Sequence, residues 1–372
     1  GFQIHSMEYD CVHEPAVVHP MATIFAALSA EADRQGGVSG TALMQAVIVA
    51  VDVAIELGVA VTSPLKFFRP ATAGLFGATL GIARLRGFDE RTAMSAMGCA
   101  LSQCAGVMQP HVEGKPTLPV QIAGAARAAV VACDLAEAGL HGPENSLEGP
   151  FGYFNMFEDV ADPCAAADRL GKIHRITEVS WKPFPTGRAA QGGIGLVQAL
   201  MSQGVILDNV ETITLAAPPI IPRLVERPIP DNMSANYARL CFPYLAIITL
   251  MRGTVGLKDF AKIDLESPEI RAAATKVKLA VNHVSDPAAF VPQSITVVLK
   301  SGEEKTAKIE KLFGSPDDPL THAQHIEKFR NCLTFGLSEV NAKETANRLI
   351  TCVDNLETLD NCAELFVLAS GV

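Results

Sequence analysis

Residues 72–86 read Thr72-Ala-Gly-Leu-Phe-Gly-Ala-Thr-Leu-Gly-Ile-Ala-Arg-Leu-Arg86. Apolar residues recur in this stretch at intervals of three and four, which predicts an α-helix. Gly74, Gly77, Ala78 and Gly81 lie along it, and such small side chains let neighbouring helices approach closely. The stretch therefore predicts a helix inside a tightly packed bundle.

The segments around this helix have the same pattern. They are rich in Ala, Leu and Met, and Gly or Pro separates them. The four further predicted helices are residues 21–34, 41–57, 90–105 and 120–138. Asp89 is a good N-cap for the third of them. Five helices with short connections predict an all-α domain.

The pattern changes from about residue 179, after an irregular stretch at 142–176. Strands are predicted at 210–216 and 274–281, with a hairpin of 294–300 and 305–311, and helices at 189–203 and 236–252. The chain is helical again from Thr321, which forms a capping box with Gln324; these last helices are 323–333, 339–355 and 362–369. The predicted fold is therefore mainly α: residues 1–178 and 318–372 form a helical domain, and residues 179–317 form an inserted α+β lid domain.

Composition limits the function. The 372 residues include 40 acidic and 30 basic ones, and a net charge of −10 argues against sequence-independent binding of nucleic acid. The apolar stretch 41–61 contains Asp52 and Glu56, so we expect a core helix and no membrane contact. Nine scattered cysteines without a CxxC pair, and no recognisable signal peptide, predict a cytoplasmic protein with reduced thiols.

The densest group of ionisable residues lies near the start of the sequence. It comprises His5, Glu8, Asp10, His13, Glu14 and His19. Three interpretations are open: a metal site, since His and carboxylate bind Zn, Mn or Fe; an acid–base site; or a solvated loop. The spacing matches no helical HExxH pattern, which favours acid–base chemistry without a metal.

Three further segments carry cations that suit an anionic substrate. Arg69 precedes a predicted helix that begins near Ala71, where a guanidinium and a helix N-terminus could bind a carboxylate, unless Arg69 is an ordinary surface residue. Lys115 lies in the loop His111-Val-Glu-Gly-Lys-Pro-Thr117 and is either a substrate cation or a solvated side chain. Lys182 and Arg188 lie on the turn Trp181-Lys-Pro-Phe-Pro-Thr-Gly-Arg188, whose two prolines suit either a binding loop or a stiff hinge.

Several segments, in order along the chain, resemble the MmgE/PrpD family. These segments are Ile4-His-Ser-Met-Glu-Tyr-Asp10 with His13 and Val18-His-Pro20, Phe68-Arg-Pro-Ala-Thr-Ala-Gly-Leu-Phe-Gly77, residues 121–138, Glu148-Gly-Pro-Phe-Gly152, Lys182-Pro-Phe-Pro185, residues 238–244, and Pro319-Leu-Thr321 with Lys328-Phe-Arg330. Each motif alone is weak, but the ordered series covers nearly the whole chain. The family's N-terminal helices are missing, so the sequence resembles a truncated member.

The resemblance implies a fold, an assembly and a chemistry. The family includes 2-methylcitrate dehydratase, cis-aconitate decarboxylase and iminodisuccinate epimerase, which act without a cofactor on small di- and tricarboxylates. The resemblance further implies a homodimer and a cleft between the helical domain and the lid. It also implies functional residues at Glu8, His19, Lys182 and Tyr244. A His that the family has before its glycine-rich helix is Arg69 here, and the decarboxylase's His five residues after the lid lysine is Gly187.

These features predict a lyase, and more specifically a dehydratase of a hydroxylated di- or tricarboxylate. We expect His19, Glu8 or Asp10 to remove a proton alpha to a carboxylate. Lys182 is expected to stabilise the developing enediolate or to protonate the leaving hydroxyl, and Tyr244 to hydrogen-bond that group. Four residues are expected to bind substrate: Arg69, Arg188, Lys115 and His13. An epimerase, a non-catalytic carboxylate-binding protein and a metal-dependent hydrolase are the alternatives; no cofactor or metal is expected.

Overall fold

The computed structural model describes residues 1–286 and 288–370. Over these residues the chain is mainly helical, with one four-stranded sheet. Two groups of helices, one before and one after the sheet-containing region, form what we call the helical part. Its helices are α1 Phe2–Ser6, α2 Pro20–Arg34, α3 Gly40–Val59, α4 Arg69–Arg86, α5 Glu90–Leu101, α6 Gln109–Glu113, α7 Thr117–Glu137, α8 Tyr153–Phe157, α9 Pro163–Arg169, α16 His322–Gly336, α17 Glu339–Asp354 and α18 Ala363–Ser370.

The region between α9 and α16 forms an α+β part. Its strands are β1 Val210–Ala217, β2 Val277–Val281, β3 Gln293–Leu299 and β4 Glu304–Ile309, and its helices are α10 Arg188–Met201, α11 Ile220–Val225, α12 Ala235–Ala238, α13 Phe242–Arg252, α14 Lys262–Leu265 and α15 Pro268–Ala274. The sheet order is β2-β1-β3-β4. β1 pairs in parallel with β2 and antiparallel with β3, and β3 forms the predicted hairpin with β4. The fold class predicted from the sequence is confirmed.

The glycine-rich helix α4 is the centre of the helical part. It packs against α2, α3, α5 and α7. A Cβ on Gly77 would collide with the Ala50 carbonyl of α3, and one on Gly81 would lie 2.9 Å from the Ala50 Cβ. The small residues of α4 therefore permit the close packing that the sequence predicts.

The predicted caps are confirmed, but several predicted elements are wrong in part. The helix predicted over 90–105 ends at Leu101, and the stretch predicted as irregular over 142–176 contains the short helices α8 and α9. Asp89 accepts from the Thr92 N–H, and Thr321 forms its capping box with Gln324. The helix predicted over 236–252 is broken into α12 and α13 because Pro243 has no N–H and can only start a new helix. The strand predicted over 274–281 begins only at Val277, since Ala274 ends α15.

Two separate groups of buried apolar residues form the cores. One lies among the helices of the helical part and includes Leu349, Cys362 and Leu365 from the last helical segments. The other lies between the sheet and helices α10, α11 and α13. The end of the chain thus packs on the first helices, while the domain boundaries at 178 and 317 stay predictions.

Helices α3 and α7 are long and apolar enough to cross a membrane by length and composition alone. In the most apolar 18 residues of each helix, 61% are buried within the protein for α3 and 50% for α7. On α3, Glu56 pairs with Arg175 at 2.6 Å and with Arg169 at 2.9 Å. Packing inside the helical part therefore accounts for the apolar character of α3.

Candidate active site

The N-terminal segment is fastened to the segment around Lys182 by a short antiparallel bridge. The Val12 N–H donates to the Ser180 carbonyl at 3.0 Å, and the Ser180 N–H donates to the Val12 carbonyl at 2.8 Å. The Gly314 carbonyl accepts from the Trp181 N–H at 2.8 Å. Gly314 has φ +86°, and a Cβ there would collide with the Trp181 carbonyl, so glycine is required. These contacts place Lys182 against the first residues of the chain.

Five ionisable side chains meet there, and we call them the ionisable cluster: His5, Glu8, Asp10, His19 and Lys182. Asp10 Oδ2 lies 2.8 Å from His5 Nδ1 and 3.2 Å from His19 Nδ1. Lys182 Nζ donates to Glu8 Oε2 at 3.1 Å and lies 3.5 Å from Asp10 Oδ1. Glu8 Oε1 lies 3.7 Å from His5 Nε2. One ammonium and two imidazoles are therefore held by two carboxylates.

The two imidazoles of the cluster have different proton affinities. Burial opposes the charged form of both, but the Asp10 and Glu8 carboxylates outweigh it at His5, so the pKa of His5 is raised. At His19 burial dominates over the attraction of Asp10, and the neighbouring Lys182 adds to it, so the pKa of His19 is lowered. The cluster thus contains one imidazole that favours its proton beside one that favours the neutral form.

Both carboxylates of the cluster are held ionised. Burial would raise the pKa of Glu8, but Lys182, His5 and His19 together lower it to about 2. Burial likewise opposes ionisation of Asp10, while His5, His19 and Lys182 bring its pKa well below the usual value. The cluster is therefore balanced by internal charges rather than by solvent.

Glu8 has an uncommon backbone conformation. Its φ is +51°, in the left-handed region where glycine is the usual residue. It follows the end of α1, where its N–H donates to the His5 carbonyl at 3.1 Å. A non-glycine residue in this conformation costs about 1–2 kcal/mol, and such strain is found most often at functional sites.

A small cavity of about 60 Å³ lies beside the cluster, between the helical part and the α+β part. Its polar lining residues are His5, Glu8, His19, His111 and Arg188. A larger cleft of about 730 Å³ opens next to it. Val17, Leu65 and Phe290 line both spaces and so form the wall between them. Lys182 and His19 both contact Asp10, but over the described residues the fully buried side chain of Lys182 lies behind the carboxylates and lines neither the cavity nor the cleft. The expectation that both side chains face one cleft therefore stays a prediction.

The two predicted carboxylate clamps are engaged by carboxylates of the chain itself. Arg69 forms a bidentate pair with Glu158, from Nε to Oε1 at 2.8 Å and from Nη2 to Oε2 at 3.0 Å, and it lines the cleft. Arg188 Nε donates to Glu14 at 2.6 Å. Arg188 also donates from Nη1 to Gln191, whereas its buried Nη2 has no hydrogen-bond partner among the described residues. Of the two, only Arg188 keeps a donor for a ligand of the cavity.

The other predicted site residues lie apart from the cluster. His13 is buried in the wall of the cleft, where Nδ1 accepts from the Ala16 N–H and Nε2 lies 3.2 Å from Glu178. The Lys115 side chain is exposed and lines neither the cavity nor the cleft over the described residues. Tyr244 is buried in the core of the α+β part, where its hydroxyl donates to the Asp259 carbonyl. Tyr244 therefore does not reach the cavity, because helix α13 directs it into the sheet's core.

The cluster also has the dimensions of a metal site. One donor atom each of His5, Asp10 and His19 lies within 4.8 Å of the others. The Lys182 ammonium, however, lies 3.5 Å from the second oxygen of Asp10 and supplies a fixed positive charge there. A second cation at this carboxylate would be repelled, so the absence of a metal stays our prediction.

Comparison with protein families identifies the chain. Its residues 1–164 match the model of the MmgE/PrpD N-terminal domain, and residues 184–355 match that of the MmgE/PrpD C-terminal domain. The chain belongs to the MmgE/PrpD family. The resemblance inferred from the ordered motifs is thereby confirmed.

Two curated MmgE/PrpD relatives are similar over the full length of the chain. The cis-aconitate decarboxylase of Homo sapiens is 28% identical over 389 residues, which cover 100% of this chain and 78% of the relative. The cis-aconitate decarboxylase of Mus musculus is 27% identical over 390 residues, covering 100% and 77%. Both relatives carry the name of a decarboxylase, which is a lyase-type enzyme.

The structure adds two residues, His5 and His111, to the site residues that the MmgE/PrpD motifs indicate. His5 belongs to the acidic N-terminal group, but only the fold shows that it shares Asp10 with His19. His111 lines the cavity, although the sequence singles out Lys115 in the same loop. The short helix α6 and the turn at Gly114 separate the two, so that His111 lies inward and Lys115 outward.

Proposed function

We propose that this MmgE/PrpD protein is a lyase that dehydrates a small hydroxylated di- or tricarboxylate without a cofactor. Family membership and the lyase-type relatives support a lyase. The observation that carries the finer assignment is the pair of imidazoles on Asp10, whose ring centroids lie 5.1 Å apart at the cavity. Elimination of water needs a base and an acid on one substrate, and groups with divergent proton affinities fill those roles.

His19 is the proposed base. Its Nδ1 lies 3.2 Å from Asp10 Oδ2 without forming a well-aligned hydrogen bond. The negative charge of that carboxylate favours a proton on Nδ1, which leaves Nε2 of the neutral ring unprotonated. The lowered pKa of His19, which burial causes, favours this neutral form near pH 7. His19 then accepts the proton alpha to a substrate carboxylate, and Asp10 stabilises the imidazolium that forms.

His5 is the proposed acid. It donates from Nδ1 to Asp10, and its buried Nε2 has no hydrogen-bond partner among the described residues. A protonated His5 carries a second N–H at Nε2, which can be transferred to a departing hydroxyl group as water forms. Lys182, behind Glu8 and Asp10, keeps both carboxylates ionised and in place.

Substrate binding requires the cavity to enlarge. Pockets for small ligands commonly measure about 300–1,000 Å³, whereas this one measures about 60 Å³. Displacing Phe290 or Leu65 joins it to the cleft of about 730 Å³. Arg188, whose Nη2 has no hydrogen-bond partner among the described residues, then lies at the cavity and can donate a hydrogen bond to a substrate carboxylate.

Dehydration is favoured over the other two reactions of the family. Epimerisation needs acid–base groups on both faces of the reacting carbon, whereas His5 and His19 both contact the same carboxylate, that of Asp10. For decarboxylation, the position of the decarboxylase's second histidine is Gly187. Glycine brings no imidazole to this position, so the chain lacks the proton donor that the decarboxylase has there.

The test is a substrate panel followed by proton NMR in D₂O. We expect malate, citrate or 2-methylcitrate to yield an unsaturated acid, and His19→Asn to abolish the reaction while the protein stays folded. His141→Asn, at an exposed histidine, is the matched control. Deuterium exchange without an alkene would identify an epimerase, and loss of CO₂ from cis-aconitate a decarboxylase. Binding without either would identify a carboxylate-binding protein.

A further inference from the structure

His111 lies where the helical part meets the α+β part. It belongs to α6, and its ring lines the cavity beside His5 and His19. Gly114, which ends α6 with φ +61°, packs so closely on the α+β part that a Cβ would lie 2.5 Å from Tyr237 Cα. The Ser234 hydroxyl donates to the Gly114 carbonyl at 3.1 Å. The end of α6, the helix that carries His111, is thus held against the α+β part.

The tautomer of His111 is set by an arginine of the α+β part. Arg227 Nη2 lies 3.0 Å from His111 Nδ1. A guanidinium has only donors, so Nδ1 must accept this hydrogen bond and the ring proton must be on Nε2. Arg227 is itself held by the Leu224 carbonyl and by the Tyr237 ring, whose centroid lies 5.2 Å away.

The same contacts keep the ring uncharged. Burial and the positive charge of Arg227 lower the pKa of His111 to about 3. At neutral pH the ring therefore has one acceptor, which is occupied by Arg227, and one N–H donor. The Nε2 donor is the remaining polar atom of this ring. At the other two imidazoles of the cavity, those of His5 and His19, Nδ1 faces Asp10.

We propose that His111 is a substrate-binding residue that donates a hydrogen bond from Nε2 to a carboxylate of the substrate, and that Arg227 fixes its tautomer. That the ligand is a carboxylate rests on the proposed function. A neutral donor suits this position, because it orients a carboxylate without competing with Lys182 for Glu8 and Asp10. Because Arg227 belongs to the α+β part, the tautomer of His111 depends on how that part packs against α6.

The experiment measures the tautomer and ligand binding separately from turnover. In ¹⁵N-histidine-labelled protein, we expect His111, assigned with His111→Gln, to carry its proton on Nε2 from pH 5 to 8. Adding tricarballylate, a tricarboxylate that cannot be dehydrated, should shift that Nε2 resonance. In Arg227→Met, the fixed tautomer should give way to a mixture.

The binding arm uses two amide substitutions as a matched pair. The amide of Gln can replace the Nε2 donor of histidine, whereas that of Asn replaces Nδ1. We expect His111→Asn to weaken tricarballylate binding by about 10-fold and His111→Gln by less than about 3-fold, with His141→Asn unchanged. A proton on Nδ1, or equal affinities of His111→Asn and the parent, would overturn the proposal. Failure of every hydroxy acid to react would instead reject the proposed dehydration and leave this result standing.

Discussion

Lys182 donates two hydrogen bonds to Glu8, to the carboxylate at 3.1 Å and to the backbone carbonyl at 3.2 Å, although 174 positions separate the two residues. Its side chain is fully buried, and that of Glu8 is only 9% exposed. The same ammonium lies 3.5 Å from Asp10. A single buried cation therefore holds the segment that carries the two carboxylates of the cluster.

Replacing Lys182 with Met should destabilise the fold as well as remove activity. Glu8 and Asp10 would remain buried without their cation, and breaking a buried ion pair typically costs about 3–5 kcal/mol. Denaturant unfolding measures this loss. The control is Lys66→Met, which removes an exposed pair with Asp159 at 3.0 Å and should cost less than ~1 kcal/mol. Equal unfolding midpoints for the two variants would contradict the structural role of Lys182.

Purified protein should contain no stoichiometric metal. The Lys182 ammonium already neutralises the carboxylate that would bridge His5 and His19. Elemental analysis and assays after chelation measure this directly. A zinc, manganese or iron ion present at one equivalent, and lost in His5→Asn, would replace the acid–base interpretation with a metal site.

Stability should fall steeply in acid because of Glu8. Its folded pKa of about 2 lies below the unfolded value of 4.5, so its contribution is complete above pH ~4.5. As the pH falls from there toward 2, the unfolded chain binds a proton that the folded chain does not, and the contribution is lost. We expect Glu8→Gln to flatten the pH dependence of the unfolding free energy by about one proton in this window. Glu148→Gln, at an exposed carboxylate, is the control and should keep the parent's slope.

The fold was largely predictable because its helices have strong, regular apolar patterns. The errors have local physical causes: Pro243 interrupts one predicted helix, and residues 274–276 continue the preceding helix and turn before β2 starts. The apolar pattern continues on both sides of Pro243, so neither helix propensity nor apolar spacing shows at which residue the first helix ends. The alternation in β3 and its return strand, by contrast, was sufficient to predict the hairpin.

The site was predictable only in its acidic N-terminal group and its lysine. Arg69 and Arg188 have the chemistry of carboxylate clamps, but Glu158 and Glu14 occupy them in the folded chain. These partners are 89 and 174 positions away, so no local pattern connects them. His111 was missed for the same reason, since its partner Arg227 is 116 positions away.

The chain should form a homodimer through its helical part. Along α7, Val120 is 50% exposed, Val131 37% and Leu135 38%, so one face of this helix presents apolar side chains to solvent. Light scattering at micromolar concentration should give twice the 39.4 kDa of one chain. Val131→Glu should shift the protein to monomer, whereas Ile263→Lys, at a residue of the α+β part that is 80% exposed, should not. A monomeric parent would reject this interface.

Arg69→Ala should act on stability rather than on substrate affinity. Both Arg69 and the Glu158 side chain are nearly inaccessible, at 3% and 1% exposed, and they are joined by two hydrogen bonds. Removing the guanidinium leaves a buried carboxylate without a partner, which typically costs about 3–5 kcal/mol. The double variant Arg69→Met with Glu158→Leu removes both charges together and should recover most of that loss. A normal unfolding midpoint for Arg69→Ala, with a KM raised 10-fold or more, would restore Arg69 to the substrate-binding residues.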